Sequence, residues 1–600
     1  MIQKFKKIIQ LIRWDWTTLL LFEAIYKMIW MTGLVILQDG LEELMSRANL
    51  YYITMDNVGR LFSAPILILG LLFLLFLLAF FIYMEITGII IYFDHSRRDD
   101  PVKVRGLLFQ SMKKAFVVFK PFNLPLLVFV ILFMPLAGIP FTSGPFQGFE
   151  IPGFILDFIL ENKVLNVVFL IVMLIVVIIV FRLIFSLHEV VLENKSFFGG
   201  CKESVRKTRK KFIRPIFSFI IWNILYIAFE IIVAAAVIAI LLAAARFFHT
   251  GLEARDYFWF NLTVWSGLGI VLSTIGLAVC NLGFISVYYY ELSECEPVER
   301  SKDDKHILQR LLKKVVILVM VFLILGMYID NTPYAVSVAM LRDDKAHVDI
   351  VAHRGGAMFA PENTLAALRE SIDSKADYAE IDVQETKDGE LVIMHDSNFE
   401  RTTGVKKNVW EVNLDEVRQY DAGIRTAYRY KGEKIPTLEE MIQEAGTKIK
   451  LMIELKSSGH EQNLEQSTVN LIRQYQYQEQ CMIVSMDRKI LKKVKEIAPE
   501  IKTGSISAVA YGKIENIKEA DVFSLEATFV TRSLINRLKD SGKPIYVWTL
   551  NNEKSIRKYV DMGVDGIITD NQYLASYVLD TRGQDLMLDG IVDKVLGKQE

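Results

Sequence analysis

Seven long apolar runs occupy the first half of the chain, and they restrict what this sequence can fold into more than any other feature. The runs cover approximately residues 16–38, 64–93, 122–140, 164–187, 215–246, 262–288 and 315–330. A helix needs about 20 apolar residues to cross a bilayer, where its backbone polar groups must be satisfied internally. The sequence therefore predicts a polytopic α-helical membrane domain over residues 1–330.

Lysine and arginine are distributed unevenly among the segments that join these runs. Alternate segments, beginning with the N-terminal arm, carry 25 of these residues, whereas the intervening segments carry only Arg47, Arg60, Lys163 and Arg255. Basic residues in short loops favour the cytoplasmic side of a membrane. With seven spans, this pattern predicts a cytoplasmic N-terminus and an extracellular C-terminal domain. An even number of spans would instead leave that domain in the cytoplasm.

The composition changes after the last apolar run. Residues 331–346 read as a linker, and residues 347–600 have the mixed composition of a soluble domain. Only one of the four cysteines, Cys481, lies in this part, which excludes a fold held together by disulfides. The net charge of the chain is -1, so charge gives no reason to expect a nucleic-acid partner. The sequence does not indicate an oligomeric state.

Short strand-like runs alternate with amphipathic helical stretches in the soluble part, as in repeated βα units. Nine such runs begin near residues 348, 378, 391, 450, 481, 502, 521, 545 and 565. The turn at residues 386–390 is too short for a crossover helix, so one run beside it departs from the repeat. The pattern and the length predict an α/β fold, a (β/α)8 TIM barrel.

Polar side chains collect at the C-terminal ends of the first four runs, where barrels of this kind carry their active sites. The residues are His353, Arg354, Glu380, Asp382, His395, Glu454 and Lys456. Each alone has an ordinary structural explanation, such as a surface residue or a solvated ion pair. Their joint occurrence at equivalent positions favours a functional site. His347 and His460 are interpreted as surface histidines.

These residue types suit one kind of chemistry. Three carboxylates without a cysteine favour a hard divalent cation, Ca2+ or Mg2+. Arginine and lysine suit a phosphate, and two histidines suit general acid and base catalysis. Gly355 and Gly356 would let a ligand approach the backbone closely. The set predicts metal-assisted cleavage of a phosphodiester.

A few ionisable residues interrupt the apolar runs, where they are costly and often functional. Glu85 and the Glu23–Lys27 pair are interpreted as interfacial residues or helix–helix contacts. Glu230 lies near the middle of its run, and Arg182 is a conceivable partner for it. The sequence thus leaves open a polar membrane-domain site for a lipid headgroup, formed by these last two residues.

Several motifs of the soluble part together resemble the glycerophosphodiester phosphodiesterase family. They are HRGGAMFAPENTLAAL, EIDVQETKDGELVIMHD, RTTG, DAG, IPTLEE and IELK. Residues 396–440 resemble the small insertion of that family, and the membrane half is similar to a multi-span domain that precedes this enzyme in some Gram-positive bacteria. The family usually has a proline soon after its final TD, whereas this chain reads TDNQYL.

The resemblance implies a role for each candidate residue. His353 and His395 would form the acid–base pair, and Glu380, Asp382 and Glu454 would hold the divalent metal. Arg354 and Lys456 would contact the phosphate, and Trp548 is a possible glycerol contact. A glycerol hydroxyl of the substrate would attack first, giving a cyclic phosphate that water opens to glycerol 3-phosphate.

Two functions remain in competition at this point. The first is a membrane-anchored extracellular phosphodiesterase acting on lipid headgroups, lysophospholipids or lipoteichoic acid, with membrane lipids as neighbours. The second is a lipid or polymer transporter or binding protein whose barrel only recognises glycerophosphate. The intact set of acid, base and metal-binding residue types favours the enzyme.

Overall fold

The structure is a computed structural model of the chain. It describes residues 2–133, 153–295 and 347–581, apart from 56, 63, 121–122, 210–212 and 250, together with residues 592 and 595. The seventh apolar run, residues 134–140 of the third run and the proposed linker lie outside the described residues.

The described part of the membrane half is helical. Its helices are α1 Ile2–Arg13, α2 Trp16–Arg47, α3 Pro65–Arg98, α4 Val104–Ala115, α5 Leu124–Val128, α6 Gly153–Glu161, α7 Lys163–Arg182, α8 Ser186–Leu192, α9 Phe197–Thr208, α10 Ile213–Phe248 and α11 Gly251–Leu292. A π turn, Phe129–Phe133, follows α5. A two-residue strand, β1 (Tyr52–Ile53), lies between α2 and α3.

Among the described residues, five helical segments are long and apolar enough to cross a membrane. They are Trp16–Arg47, Pro65–Arg98, Lys163–Leu192, Arg214–Phe248 and Glu253–Leu292, each containing one of the apolar runs. The third run is different, because Leu124–Ile131, which lies in it, meets the preceding segment Val104–Phe119 at a bend of 112°. The helices confirm a multi-pass membrane domain.

The second half contains a closed barrel of eight parallel strands. The barrel strands and the short strands beside them are β2 Asp349–Ala352, β3 Tyr378–Glu385, β4 Leu391–Ile393, β5 Lys450–Leu455, β6 Cys481–Ser485, β7 Lys502–Ser507, β8 Tyr511–Gly512, β9 Val522–Glu526, β10 Ile545–Trp548 and β11 Gly566–Thr569. The order is β2-β11-β10-β9-β7-β6-β5-β3, and the β2–β3 pairing closes the circle. The predicted TIM barrel is confirmed.

The nine strand-like runs all form strands, and the irregular one is β4. It pairs antiparallel with β3, since the turn between them allows only a hairpin. The eight parallel strands are almost entirely buried because helices cover the outside, which explains their continuous apolar sequences.

Helices follow the strands around the barrel. They are α12 Leu365–Asp373, α13 Glu400–Thr403, α14 Leu414–Val417, α15 Leu438–Ala445, α16 Leu464–Gln474, α17 Arg488–Ile497, α18 Arg532–Asp540, α19 Glu553–Met562 and α20 Gln572–Asp580. Side chains that accept a hydrogen bond from the first turn cap many of them, at Thr364, Thr437, Asp487, Thr531, Asn552 and Asn571. Each such cap typically contributes about 1 kcal/mol.

The segment after β4 has a small core of its own. Phe399, Val409, Val417 and Tyr420 pack there with Val392 of β4. This packing holds residues 396–440 beside the C-terminal end of β4, where His395 lies. The insertion therefore forms one side of the barrel mouth.

Among the described residues, the two halves of the molecule touch at two places. Strand β1, from the segment between α2 and α3, pairs antiparallel with β8 of the barrel half. Val592, after the last barrel helix, packs with Ala245 of α10 and Phe258 of α11. The barrel thus contacts the α2–α3 connection, and Val592 contacts the adjoining ends of α10 and α11.

Candidate active site

Three carboxylates converge at the C-terminal end of the barrel. Glu380 and Asp382 project from the same face of β3, and Asp382 is directly opposite Glu454 of β5. The three residues are 4%, 1% and 6% exposed, respectively. One oxygen from each lies within 4.8 Å of the others, which is a spacing that could hold a metal ion.

Neighbouring groups fix the orientation of these carboxylates. The backbone N–H of Arg354 donates to Glu380 Oε2 at 2.8 Å. Asn363 Nδ2 donates to Asp382 Oδ2 at 2.7 Å. Lys456 Nζ lies 2.9 Å from Asp382 and 2.8 Å from Glu454. The lysine therefore faces the carboxylates, with its side chain 19% exposed towards the mouth.

The charges within this cluster do not balance, because three buried carboxylates share one lysine. Burial and the Asp382 carboxylate raise the pKa of Glu380 to about 8. Burial acts against ionisation of Asp382 as well, but Lys456 holds the pKa of Asp382 well below its usual range. A divalent cation would offset the excess negative charge, and oxygen ligands are those that Ca2+ and Mg2+ prefer. The donor set therefore fits such an ion.

His353 directly follows β2. A carboxylate that comes near the end of the domain in the sequence orients its ring. Its Nδ1 lies 2.7 Å from Asp570 Oδ1, although the two residues are 217 positions apart. Asn551 Nδ2 donates to the second oxygen of Asp570 at 2.5 Å. Burial would lower the pKa of His353, but Asp570 outweighs this effect, and the pKa is raised above its ordinary value.

His395 has an equivalent arrangement after β4. Its Nδ1 lies 2.8 Å from Asp396 Oδ1, and Arg401 Nε donates to Asp396 Oδ2 at 2.7 Å. Gln384 Nε2 donates to the backbone oxygens of Met394 and Asp396, at 2.8 and 2.7 Å, and so holds the segment that carries the histidine. In both histidines a carboxylate contacts Nδ1, and Nε2 lies on the opposite side of the ring.

A second ion-pair network surrounds Arg354. Its Nη1 donates to Glu362 Oε1 at 3.1 Å, and Arg401 donates to both oxygens of the same carboxylate. Burial opposes ionisation of Glu362, but the two arginines hold its pKa below the ordinary value. Arg401 thereby links the insertion to the first βα loop and to Asp396.

The two glycines after Arg354 have a reason beyond ligand approach. Arg354, Gly355 and Gly356 have φ angles of 50°, 77° and 98°, so the chain makes a left-handed turn that glycine adopts without strain. A Cβ on Gly356 would lie 2.6 Å from Gln572 Nε2. The tight turn places Arg354 N–H where it binds Glu380.

Trp548 lies at the end of β10, partly buried, against the apolar residues that fill the barrel interior. Trp548 is therefore at the mouth of the barrel.

The two histidines interpreted as surface residues lie outside the site. His347 is at the opposite end of the barrel and contacts Asp377. His460 stacks on Trp410 with ring centroids 4.4 Å apart.

The two membrane-domain candidates have different described neighbours. Arg182 ends α7 and donates to Thr208 at 3.4 Å. Glu230 is half-buried on α10 and interacts with Tyr226 and Cys280. Buried charge occurs elsewhere, where Lys27 interacts with Glu23 and Glu85 in the bundle interior. That trio is a helix–helix contact, since α2 and α3 supply all three residues.

Sequence reasoning missed the partners of the catalytic candidates. They are Asp570, Asn551, Asp396, Arg401, Glu362, Asn363 and Gln384. Two of them carried a signal, because Asp396 follows His395 directly and Asp570 ends the last strand-like run.

Two family models match the chain. One is described as the glycerophosphoryl diester phosphodiesterase family and matches residues 353–573. The other is described as the membrane domain of glycerophosphoryl diester phosphodiesterase and matches residues 5–328, which is more than half of the chain.

Individual relatives resemble the barrel half. A putative glycerophosphodiester phosphodiesterase of Bacillus subtilis is 34% identical over 37% of this chain and 93% of its own length. A glycerophosphodiester phosphodiesterase of Caldanaerobacter subterraneus is 34% identical over 37% of this chain and 93% of its own. The solved structure of an Oleispira antarctica phosphodiesterase with the product sn-glycerol-3-phosphate is 28% identical, covering 39% of this chain and 96% of that one, with a TM-score of 0.37.

Proposed function

The chain belongs to the glycerophosphoryl diester phosphodiesterase family, in the form that carries a membrane domain, and on this premise we propose a membrane-anchored, metal-dependent phosphodiesterase. It cleaves glycerophosphodiesters to an alcohol and glycerol 3-phosphate. The observation that carries the proposal is the convergence of two histidine–aspartate pairs on one buried group of three carboxylates. We retain the division into a membrane domain (1–330), a linker (331–346) and a barrel (347–600).

Glu380, Asp382 and Glu454 are the proposed metal ligands, because their oxygens converge and their negative charge exceeds that of the one lysine beside them. A divalent cation, Ca2+ or Mg2+, bound there supplies positive charge that stabilises the phosphoryl oxygens. Lys456 adds a second positive charge at the same place. Arg354, in the left-handed turn that follows β2, is placed to bind a phosphate oxygen as well.

His353 and His395 are the proposed acid–base pair. With Nδ1 of each ring held by Asp570 or Asp396, Nε2 exchanges the proton. One histidine removes the proton from the glycerol hydroxyl as its oxygen attacks phosphorus. The other protonates the oxygen of the alcohol as its bond to phosphorus breaks, which leaves a cyclic glycerol phosphate. Water then opens the cyclic phosphate with the roles of the histidines reversed.

Proximity accounts for part of the expected acceleration, because the attacking hydroxyl belongs to the substrate itself. Trp548, at the end of β10, is a candidate to contact the glycerol carbons. A binding protein that only recognises glycerophosphate would have no use for two oriented proton carriers, so their geometry favours the enzyme over the rival function.

An extracellular location of the barrel is the second part of the proposal. The barrel contacts the α2–α3 connection, and Val592 contacts the ends of α10 and α11 that adjoin each other. Both contacts lie on the side that is poor in lysine and arginine. From that side the site would meet lipid headgroups, lysophospholipids and lipoteichoic acid. Protease added to intact cells is expected to cleave the barrel, whereas protection of the barrel until the cells are opened would contradict this location.

The enzymatic part is tested by measuring the products released by the purified full-length protein, which are glycerol 3-phosphate from glycerophosphocholine or lipoteichoic acid and the headgroup alcohol from a lysophospholipid. The substrates are glycerophosphocholine, a lysophospholipid and lipoteichoic acid, each with Ca2+, with Mg2+ and with EDTA. We expect release from at least one substrate, abolished by EDTA. Release that persists in EDTA would contradict metal dependence, and absence of release from every substrate would favour the binding protein.

A further inference from the structure

Two short amphipathic helices of the membrane half, α4 and α9, lie at the end of the bundle that is rich in lysine and arginine. Lys114 of α4 donates to the backbone oxygen of Val191 in α8 at 2.8 Å. Lys207 of α9 binds the buried carboxylate of Glu189 and donates to Ser293 Oγ, after α11, at 2.6 Å. These contacts hold both helices on the bundle and leave their opposite faces outward.

The outward face of α4 combines large apolar side chains with basic ones. The exposed residues are Arg105, Phe109, Met112, Lys113 and Phe116, the last of which directly follows the helix. They recur every three to four residues, which places them on one side of a helix. Phe109 is 60% exposed, although a surface helix normally turns polar residues towards water. Such an exposed apolar stripe indicates an apolar neighbour.

Helix α9 has the same arrangement. Its exposed residues are Phe198, Lys202, Val205, Arg206 and Arg209, at the same intervals as the exposed residues of α4. Phe198 is 63% exposed. Both helices therefore present aromatic and basic side chains together on one outward face.

The apolar stripe of α4 is continuous with the surface of a membrane span. Phe116 packs on Phe80 of α3, with ring centroids 5.1 Å apart. Phe119, in the turn after α4, stacks on Phe76 of α3 at 6.0 Å. One turn further along α3, Phe73 is 59% exposed. Because α3 is one of the five helical segments that could cross a membrane, the apolar neighbour that fits the stripe is the bilayer itself.

The basic side chains on these faces decide which lipid fits. Within the described residues, no carboxylate forms an ion pair with Arg105, Lys113 or Lys202. Arg206 differs, since it lies 2.8 Å from Glu203. Lysine and arginine close to a membrane surface attract anionic headgroups, and their long apolar stems can cover apolar surface while the charge stays at the level of the headgroups.

We propose that the outward faces of α4 and α9 form a binding surface for anionic phospholipids. The aromatic side chains enter the edge of the leaflet on this side, and the basic side chains bind the charged headgroups. Helix α3 begins beside the barrel and ends beside α4, so this surface lies at the end of the membrane half away from the barrel. Lipid bound there stabilises the membrane half whether or not the barrel is active.

Three variants test the role of charge. Arg105→Gln/Lys113→Gln/Lys202→Gln removes three exposed positive charges and should fold normally without lipid, because exposed side chains contribute little to stability. Arg105→Lys/Lys113→Arg/Lys202→Arg keeps the charges and changes the shapes of the side chains. The matched control removes three exposed lysines of the barrel half instead, in Lys448→Gln/Lys492→Gln/Lys502→Gln.

The measurement is the thermal unfolding midpoint of the purified full-length protein in a neutral detergent, titrated with phosphatidylserine or with phosphatidylcholine. Tryptophan fluorescence reports the membrane half, which has six of the eight tryptophans. The two lipids share the phosphodiester and differ in net charge, and EDTA is present, so any binding at the barrel affects both titrations alike. A ligand that binds only the folded protein raises the midpoint.

We expect phosphatidylserine to raise the midpoint more than phosphatidylcholine, and high salt to reduce the difference. The charge-neutral variant should need about tenfold more phosphatidylserine for the same rise, whereas the charge-conserving variant and the barrel control should respond like the wild type. Equal stabilisation by the two lipids, or a wild-type response of the charge-neutral variant, would overturn the inference. A weakened response of the barrel control would also overturn it, because charge anywhere on the protein would then suffice.

The position of the aromatic stripe is tested without reference to charge. In vesicles whose acyl chains are brominated, the fluorescence that Phe109→Trp adds to that of the wild type should be quenched. Lys492→Trp, at an exposed position of α17, is the control and should not be quenched. Equal fluorescence of Phe109→Trp in brominated and ordinary vesicles would place α4 outside the bilayer and overturn the inference.

Discussion

Each half of the molecule buries a lysine between two carboxylates, and the two clusters differ in what surrounds them. In the membrane half, Lys27 interacts with Glu23 and Glu85, and all three residues are buried. In the barrel, Lys456 binds two carboxylates at the mouth and keeps part of its side chain exposed. Only the barrel cluster has a third carboxylate and two oriented histidines beside it.

The comparison shows that buried charge alone does not identify a functional site. The membrane cluster ties α2 to α3 and is buried in the helical bundle. The barrel cluster has access, excess negative charge and proton carriers. Chemistry needs those three features together, whereas a buried ion pair needs only a partner.

The largest effect is expected from His353→Ala. Loss of one general acid–base group should lower kcat by about 10²–10⁴-fold while the protein stays folded. His347→Ala, at the other end of the barrel, is the matched control and should retain activity. Steady-state rates of glycerol 3-phosphate release check both, and comparable activity in the two variants would remove His353 from the mechanism.

A smaller loss with a change in pH dependence is expected from Asp570→Asn. The carboxylate raises the pKa of His353, so its neutral replacement lets burial lower that pKa. The limb of the kcat/KM profile that reports His353 should therefore move to lower pH. A lower rate with an unchanged profile would mean that Asp570 supports the fold and does not set the protonation of His353.

Replacing the two lysines tests the comparison directly. Lys456→Met removes a partner of the metal-binding carboxylates and should lower activity about 10–100-fold. Lys27→Met leaves buried carboxylates unpaired and should lower the stability of the membrane domain by about 3–5 kcal/mol. The rate at which Lys27→Met cleaves glycerophosphocholine should not change. Folding in detergent and reaction rates are measured for both variants. Loss of activity in a Lys27→Met protein that remains folded would show that the two clusters are coupled.

The smallest effect is expected at a polar residue of the mouth that faces inward. Ser485 Oγ donates to the backbone oxygen of Leu455 at 2.8 Å and accepts from the N–H of Asp487 at 3.1 Å. Ser485→Ala should lower the free energy of unfolding by about 1 kcal/mol and leave the rate nearly unchanged. Denaturation followed by a rate assay checks this, and a large fall in rate would make Ser485 a substrate contact.

The barrel was largely predictable from the sequence, because buried parallel strands and amphipathic helices leave strong periodic signals. The hairpin at β4 was predictable from its short turn. The candidate residues were found because active-site groups follow strand ends. Asp570 escaped as a partner of His353, since only closure of the barrel between β2 and β11 brings the two together.

Contacts between the halves could not be predicted in this way. Strands β1 and β8 have two residues each, which is too short for any periodic pattern. The bend between Val104–Phe119 and Leu124–Ile131 was also missed, because an apolar run does not record its direction. Glu230 and Arg182 were paired because each is an ionisable residue in an apolar run, and the structure places Glu230 beside Tyr226 and Arg182 beside Thr208.

The most direct test is the dependence of glycerol 3-phosphate release on divalent cation concentration, for the wild-type protein and for Asp382→Asn. The account predicts saturable activation of the wild type by Ca2+ or Mg2+. It also predicts that Asp382→Asn, which lacks one ligand charge, needs a much higher concentration for half-maximal activity. The same activation curve for both proteins would contradict a metal site at these carboxylates.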